Sequence, residues 1–308
     1  MRGGRHAKGA FSGNFPAPRP VVRAALWMTG TLLSFMAMAV GGRELSAGMG
    51  TFEILFFRSL IGLVIIGAIL LRQRRGWAWS RSLPVHILRN VAHFGGQFGW
   101  FYGLALIPLA EVFAIEFTVP VWTALLAAVI LKERLTPTRI AAIGLGIAGM
   151  LIILRPGVSV VSPAALAVLG GAVCYALSHT LTRRLVQTDA PIMILFYMPL
   201  VQLPLGFLPA LREWTAPTPG MWPWLLAVGA AALSGHYCMA RAFALADATV
   251  VVPMDFLRLP MIALVGRLLY GEAIDGFVLA GALVMLAGNI LNIRAERTGV
   301  AVPETKSD

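Results

Sequence analysis

Six ionisable side chains stand inside otherwise apolar stretches of this sequence: Arg58, Glu111, Glu116, Arg241, Asp255 and Arg258. An ionised group in hydrocarbon costs about 2.5 to 3.5 kcal/mol on insertion scales, so such residues tend to face a partner or a water-filled cavity. Glu116 and Asp255 draw the eye first, because prolines flank both: Pro120 follows Glu116, while Pro253 and Pro260 bracket Asp255. A proline removes one helix hydrogen bond and kinks the chain, which leaves backbone carbonyls free beside each acid. A carboxylate at a broken helix can hold a cationic solute group or a proton in transit. The plainer alternative is static ion pairing. Asp255 and Arg258 lie three apart on one helical face, and Glu116 has Arg58 or Arg241 available.

A second polar group runs through Asn90, His93, Gln97 and Tyr102, which share one broad helical face and line either a cavity or a helix contact. Gly95, Gly99 and Gly103 recur every four residues in the same stretch, the spacing that lets two helices approach closely. His179 and His236 are lone histidines. Gly144-Leu145-Gly146-Ile147-Ala148-Gly149 spells a dinucleotide fingerprint, but no strand precedes it, so it reads as helix packing. HExxH, Walker A, GxSxG and paired CxxC motifs are absent. No catalytic residue, metal site or cofactor is therefore expected, and Cys174 and Cys238 read as small packing residues.

These residues need membrane helices to position them. The chain is 58% hydrophobic and 13% charged, with a mean hydropathy of +0.79, whereas a soluble domain is roughly a quarter charged. Ten apolar runs, centred near Phe35, Leu63, Phe98, Trp122, Leu145, Val173, Leu200, Ala230, Ala263 and Val284, reach the roughly 20 residues that a crossing requires. Residues 1–23 read as a disordered basic tail and 294–308 as a second tail. The net charge of +11 is divided by loop. Eighteen basic residues fall on the side of the termini and four on the other, which places both termini in the cytoplasm and argues against nucleic acid as a partner.

The sequence also echoes itself at an offset of 139, with Glu116-Phe117 falling on Asp255-Phe256, Glu133 on Glu272 and Ala148-Gly149 on Ala287-Gly288. Each copy holds five runs, an odd number, so the second copy must insert upside down. The basic segment Lys132 to Arg139 indeed answers the acidic segment Tyr270 to Asp275. The expected fold is an all-α membrane protein of ten transmembrane helices in two inverted five-helix repeats, residues 24–155 and 163–293.

Phe57-Arg58-Ser59-Leu60, the run Tyr102 to Ala110, Phe117-Thr118-Val119-Pro120, Leu131-Lys132-Glu133-Arg134-Leu135 and Arg155-Pro156-Gly157 resemble the EamA branch of the drug/metabolite transporter superfamily. Leu245-Ala246-Asp247-Ala248 and Gly271-Glu272 fit in the second repeat, whereas Asp255-Phe256-Leu257-Arg258 replaces a commonly more apolar stretch. The resemblance implies a secondary carrier of the bacterial inner membrane, working by alternating access on a small polar organic metabolite, with export favoured by family habit. The solute expected from the charges is zwitterionic, amino-acid-like or carrying both polarities, and Glu116, Asp255, Arg58, Arg258, Arg241, His93, Gln97 and Tyr102 are the candidates to bind it or a coupling proton. A second copy of the chain is a candidate partner. The competing classes are a membrane-embedded enzyme and a non-transporting membrane subunit.

Overall fold

The computed structural model describes residues 20–72, 80–130, 136–156, 161–246 and 248–299. The basic residues of the first nineteen positions, Arg74, Arg75, Lys132, Glu133, Arg134, Gly157, Asp247 and Lys306 lie outside them. Among the described residues twelve helices follow one another: α1 (Pro20–Ser46), α2 (Thr51–Arg72), α3 (Leu83–Leu106), α4 (Leu109–Glu116), α5 (Val119–Ile130), α6 (Pro137–Leu154), α7 (Pro163–Leu185), α8 (Pro191–Ala210), α9 (Trp222–Phe243), α10 (Ala248–Phe256), α11 (Arg258–Tyr270) and α12 (Gly276–Gly299). No strand occurs among the described residues. α1 opens at Pro20, a residue suited to a first helical turn, so the end of the expected tail is already helical.

Among the described residues, seven stretches are long and apolar enough to cross a membrane: α1, α2, α4 with α5, α6, α7, most of α8, and α12 up to Arg294. Their outward faces carry large apolar side chains such as Val64, Leu71, Val129 and Leu283, as a lipid-facing surface does. α3 falls outside this set because of His86, Arg89, Asn90, His93 and Gln97, all of which are buried. Helix starts are marked locally. Thr136 and Ser162 accept hydrogen bonds from the Arg139 and Ala165 amides, and a proline follows each cap.

The sequence echo reappears in the elements. Leu109 and Ala248, Val119 and Arg258, and Pro137 and Gly276 open corresponding helices, an offset of 139 each time. Packing follows the same exchange. α1 lies along α9, and its counterpart α7 along α3; α2 with α8 and α6 with α12 are pairs that map onto themselves. At the last of these, a Cβ on Gly149 would meet the Gly281 carbonyl at 2.5 Å, and one on Gly288 would meet that of Ala142 at 2.9 Å. Gly149 and Gly288 are equivalent positions, as are Ala142 and Gly281, so one backbone contact is made twice. Gly146 and Gly149 of the fingerprint-like run thus serve helix packing, whereas a Cβ on Gly144 would meet nothing within 4 Å. Gly95, Gly99 and Gly103 do the same for α3, facing Cys174, Ala167 with Gly171, and Val168 of α7.

A methyl group at Gly99 would collide with the Ala167 carbonyl and approach the Gly171 Cα at 3.2 Å, and neither is a side chain that can turn away. Gly99→Ala is expected to cost about 1 to 3 kcal/mol and to lower the melting temperature of the detergent-solubilised protein. Gly67→Ala meets nothing within 4 Å and should melt no lower than the wild type in the same scanning-fluorimetry experiment.

Candidate functional site

The site is built where two helices break. Pro120 cannot donate to the Glu116 carbonyl, nor Pro260 to that of Phe256, so the helical ladder is interrupted at both places. Between α4 and α5 the chain turns at Phe117 and Thr118, with the Thr118 amide and hydroxyl both donating to the Ile115 carbonyl at 3.0 and 2.7 Å. Leu257 alone separates α10 from α11. Glu116 and Asp255 therefore end short helices at equivalent points in the two repeats. The next residues, Phe117 and Phe256, stack face to face with ring centroids 4.0 Å apart and planes 12° from parallel.

Arg258 joins the two acids. Its Nη2 donates to Asp255 Oδ2 at 2.7 Å, and its Nη1 lies 3.6 Å from Glu116 Oε1. The second Glu116 oxygen accepts from the Trp100 indole N–H at 2.8 Å. The guanidinium also sits over the rings of Phe35, Phe113 and Phe117, at 5.0, 5.6 and 5.2 Å from their centroids. Aromatic faces supply a partial counter-charge where water is excluded. The pairing partner of Glu116 is thus Arg258, and neither Arg58 nor Arg241.

This triad forms part of the wall of a cavity of about 490 Å³. Of the residues singled out from the sequence, Glu116, Asp255, Arg58, Arg258, His93, Gln97, Pro120, His179 and His236 line it. Arg241 and Tyr102 are not among its lining residues. Arg241 is exposed, bonded to the Tyr237 hydroxyl at 3.3 Å and placed over Trp27, while Tyr102 stacks on Phe98. Pro253 and Pro260 shape α10 and α11 away from the lining. Asn90 bonds the Tyr197 carbonyl across to α8, and His93 Nδ1 lies between the Gln97 and Gln202 amide nitrogens at 3.0 and 2.9 Å. Tyr175, Thr123 and Asn289 also line the cavity. Sequence reasoning passed over them because a single tyrosine, threonine or asparagine in an apolar run is ordinary.

The two ends of the cavity differ. One reaches Arg183, exposed near the end of α7, together with Arg139 of α6 and Asn292 of α12. Beyond the other lies a latch between the repeats. Arg43, at the end of α1, pairs with Glu272 at 3.1 Å and donates to the Leu104 and Ile107 carbonyls. Glu272 also accepts from the Leu109 amide at 2.9 Å, and the Tyr270 hydroxyl donates to Glu44 at 2.8 Å. Arg155 and Asp275 form a further ion pair between the end of α6 and the start of α12. Outside the helices, the Asp189 carboxyl sits below the usual carboxylate range. Partial burial pushes it up, but hydrogen bonds from Ser80 and Thr188 and the neighbouring His86 outweigh that.

Among the described residues, no group of three or more His, Cys, Asp or Glu is arranged to hold a metal ion. The profile of the EamA-like transporter family matches residues 22–155 and 162–294. The chain is similar to an S-adenosylmethionine uptake transporter of Rickettsia bellii, 25% identical over 89% of this chain and 94% of that protein. It is 29% identical to a riboflavin transporter of Rhizobium johnstonii, over 91% and 93%. With the pseudopaline exporter CntI of Pseudomonas aeruginosa the identity is 31%, over 86% and 93%. A solved crystal structure shares the fold with a TM-score of 0.60 at 18% identity, covering 90% of this chain and 99% of that one.

Removing the cation from the triad leaves two half-buried carboxylates without a counter-charge. Arg258→Gln is expected to cost about 3 to 5 kcal/mol, as breaking a buried ion pair does. The triple variant Glu116→Gln, Asp255→Asn, Arg258→Gln should regain most of that stability in thermal melts. A triple variant no more stable than Arg258→Gln alone would show that packing, and not charge, is what Arg258 supplies.

Proposed function

The chain belongs to the EamA-like transporter family, and from that premise we propose that it is a secondary active carrier moving a small polar organic metabolite across the bacterial inner membrane by alternating access. In this reading α3, α9 and the α10–α11 pair also cross the bilayer, which makes ten spans in two inverted five-helix repeats with both termini in the cytoplasm. The lengthwise packing of α3 on α7 and of α9 on α1 supports it, because α7 and α1 are apolar enough to span. The division of basic residues by loop supports the orientation.

The observation that carries the proposal is the unequal closure of a central cavity, charged along part of its wall, which holds equivalent residues of both repeats. With Arg139 and Arg183 on the cytoplasmic side, the cavity belongs to an inward-facing state, and the Arg43–Glu272 latch seals the outer side. Alternating access then requires the latch to part while the halves close over Arg183. Broken helices at the middle of a membrane are a recurrent way of forming a solute site, since they bring free backbone groups and charges together. Glu116, held by both Trp100 and Arg258, is the group through which a coupling proton would act.

Untargeted metabolite profiling of cells and medium tests the reading, comparing the wild type with Glu116→Gln and Asp255→Asn at matched membrane levels. The wild type is expected to redistribute at least one polar metabolite, and the sense of the change gives the direction. Glu116→Gln should stay folded and flatten the pH dependence of that flux; an unaltered pH profile would remove Glu116 from coupling. Separately, Glu272→Gln should weaken the outer latch and raise the labelling rate of a cysteine placed at Trp100 by a membrane-impermeant thiol reagent added outside, in a background lacking Cys174 and Cys238. An unchanged rate would exclude the latch as a gate.

A further inference from the structure

The charges that face the cavity do not balance. Arg58, Arg139, Arg183 and Arg258 stand against Glu116 and Asp255, and both acids are engaged by Arg258. Arg139 and Arg183, towards the mouth, have partners of their own. Arg58 is different. It is 5% exposed on α2, and among the described residues no carboxylate lies within ion-pair distance of it. Its Nε has no hydrogen-bond partner. The groups within its electrostatic reach are Tyr175, His93 and His236, none of which carries a negative charge at neutral pH.

An isolated buried guanidinium is expensive, and lysine or arginine in a bilayer interior normally finds a counter-charge. The protein supplies none here, although two carboxylates line the same cavity. We propose that Arg58 is the subsite for a carboxylate of the transported solute. The assignment rests on the carrier reading above and narrows its substrate class to solutes bearing a free carboxylate. The planar fork of arginine donates two parallel N–H bonds to the two carboxylate oxygens, a geometry a lysine cannot reproduce. One uncompensated cation matches a single negative charge better than a doubly charged phosphate ester. The solute charge neutralises Arg58 only while bound, so the empty cavity retains its attraction for the next anion. The acids, committed to Arg258, serve as the fixed opposite wall.

Wild type, Arg58→Gln and Arg58→Lys are reconstituted in liposomes at equal protein density, after size-exclusion chromatography has checked each fold. The vesicles are offered an aqueous extract of the expression host, either intact or after methyl esterification of its carboxyl groups, and the retained compounds are identified by mass spectrometry. From the intact extract, wild-type vesicles should accumulate carboxylate-bearing compounds, and they should fail to do so once these are esterified. Arg58→Gln should lower accumulation at least tenfold, and Arg58→Lys by less. Accumulation of only uncharged compounds or phosphate esters, equal accumulation of esterified compounds, or flux unaltered in Arg58→Gln overturns the assignment while leaving transport intact. The esterification arm uses the wild type alone, so it decides the question even where Arg58→Gln does not fold. No accumulation by the wild type from either extract overturns the carrier reading and the subsite with it.

Discussion

The interaction on which the rest of the structure depends is the bridge that Arg258 makes between Glu116 and Asp255. Three charges held in a low-dielectric interior are each costly alone and tolerable together, because every charged group then solvates another. Pro120 and Pro260 fix where the two helices break, and that mutual solvation holds the broken ends together. It also explains why Phe35, Phe113 and Phe117 crowd the guanidinium: their faces replace water that the site excludes. The Phe117–Phe256 stack beside it joins the two repeats through apolar contact at the same level. Polar and apolar contacts thus converge on one short segment from each half.

The small-residue contacts elsewhere give this centre its frame. Backbone approaches at Gly149 with Gly281 and at Gly99 with Ala167 bring helices closer than side chains would allow. Such contacts favour dispersion between well-matched surfaces, which matters where lipid provides no hydrophobic driving force between helices. α8 carries Pro199, Pro204 and Pro209 inside it, and α2 packs along it. Glu53, also buried, ties the start of α2 to the loop after α8 through the Gly50 and Thr215 amides. A buried acid can therefore serve capping alone.

Much of the helical architecture was legible because composition and repetition are strong signals in a membrane chain. The offset of 139 found in residue identities returned in the starts of α4, α5 and α6 and their counterparts. Polar residues in apolar runs pointed to His93, Gln97, Arg58 and the triad, all of which meet at the cavity. What could not be read was pairing. Arg58, Arg241 and Arg258 are chemically equal candidates for Glu116 in one dimension, and only the crossing of α4 with α11 chooses among them. Helical facing also separated Tyr102 from Gln97, although five residues divide them: one turns to Phe98 and the other to the cavity. The latch around Arg43 was hidden for another reason, since its acceptors at Leu104 and Ile107 are backbone carbonyls that carry no sequence mark.

The position that answers Arg258 in the first repeat is Val119, at the same offset that pairs Glu116 with Asp255 and Phe117 with Phe256. Both halves bring an acid and a ring to this junction, but at the third position only the second brings a cation. In a duplicated carrier whose two facing states interchange by swapping the roles of the halves, perfect symmetry would make those states equal in energy. An arginine at only one of two equivalent positions breaks that degeneracy, so in the proposed cycle it is one source of a bias towards one side of the membrane.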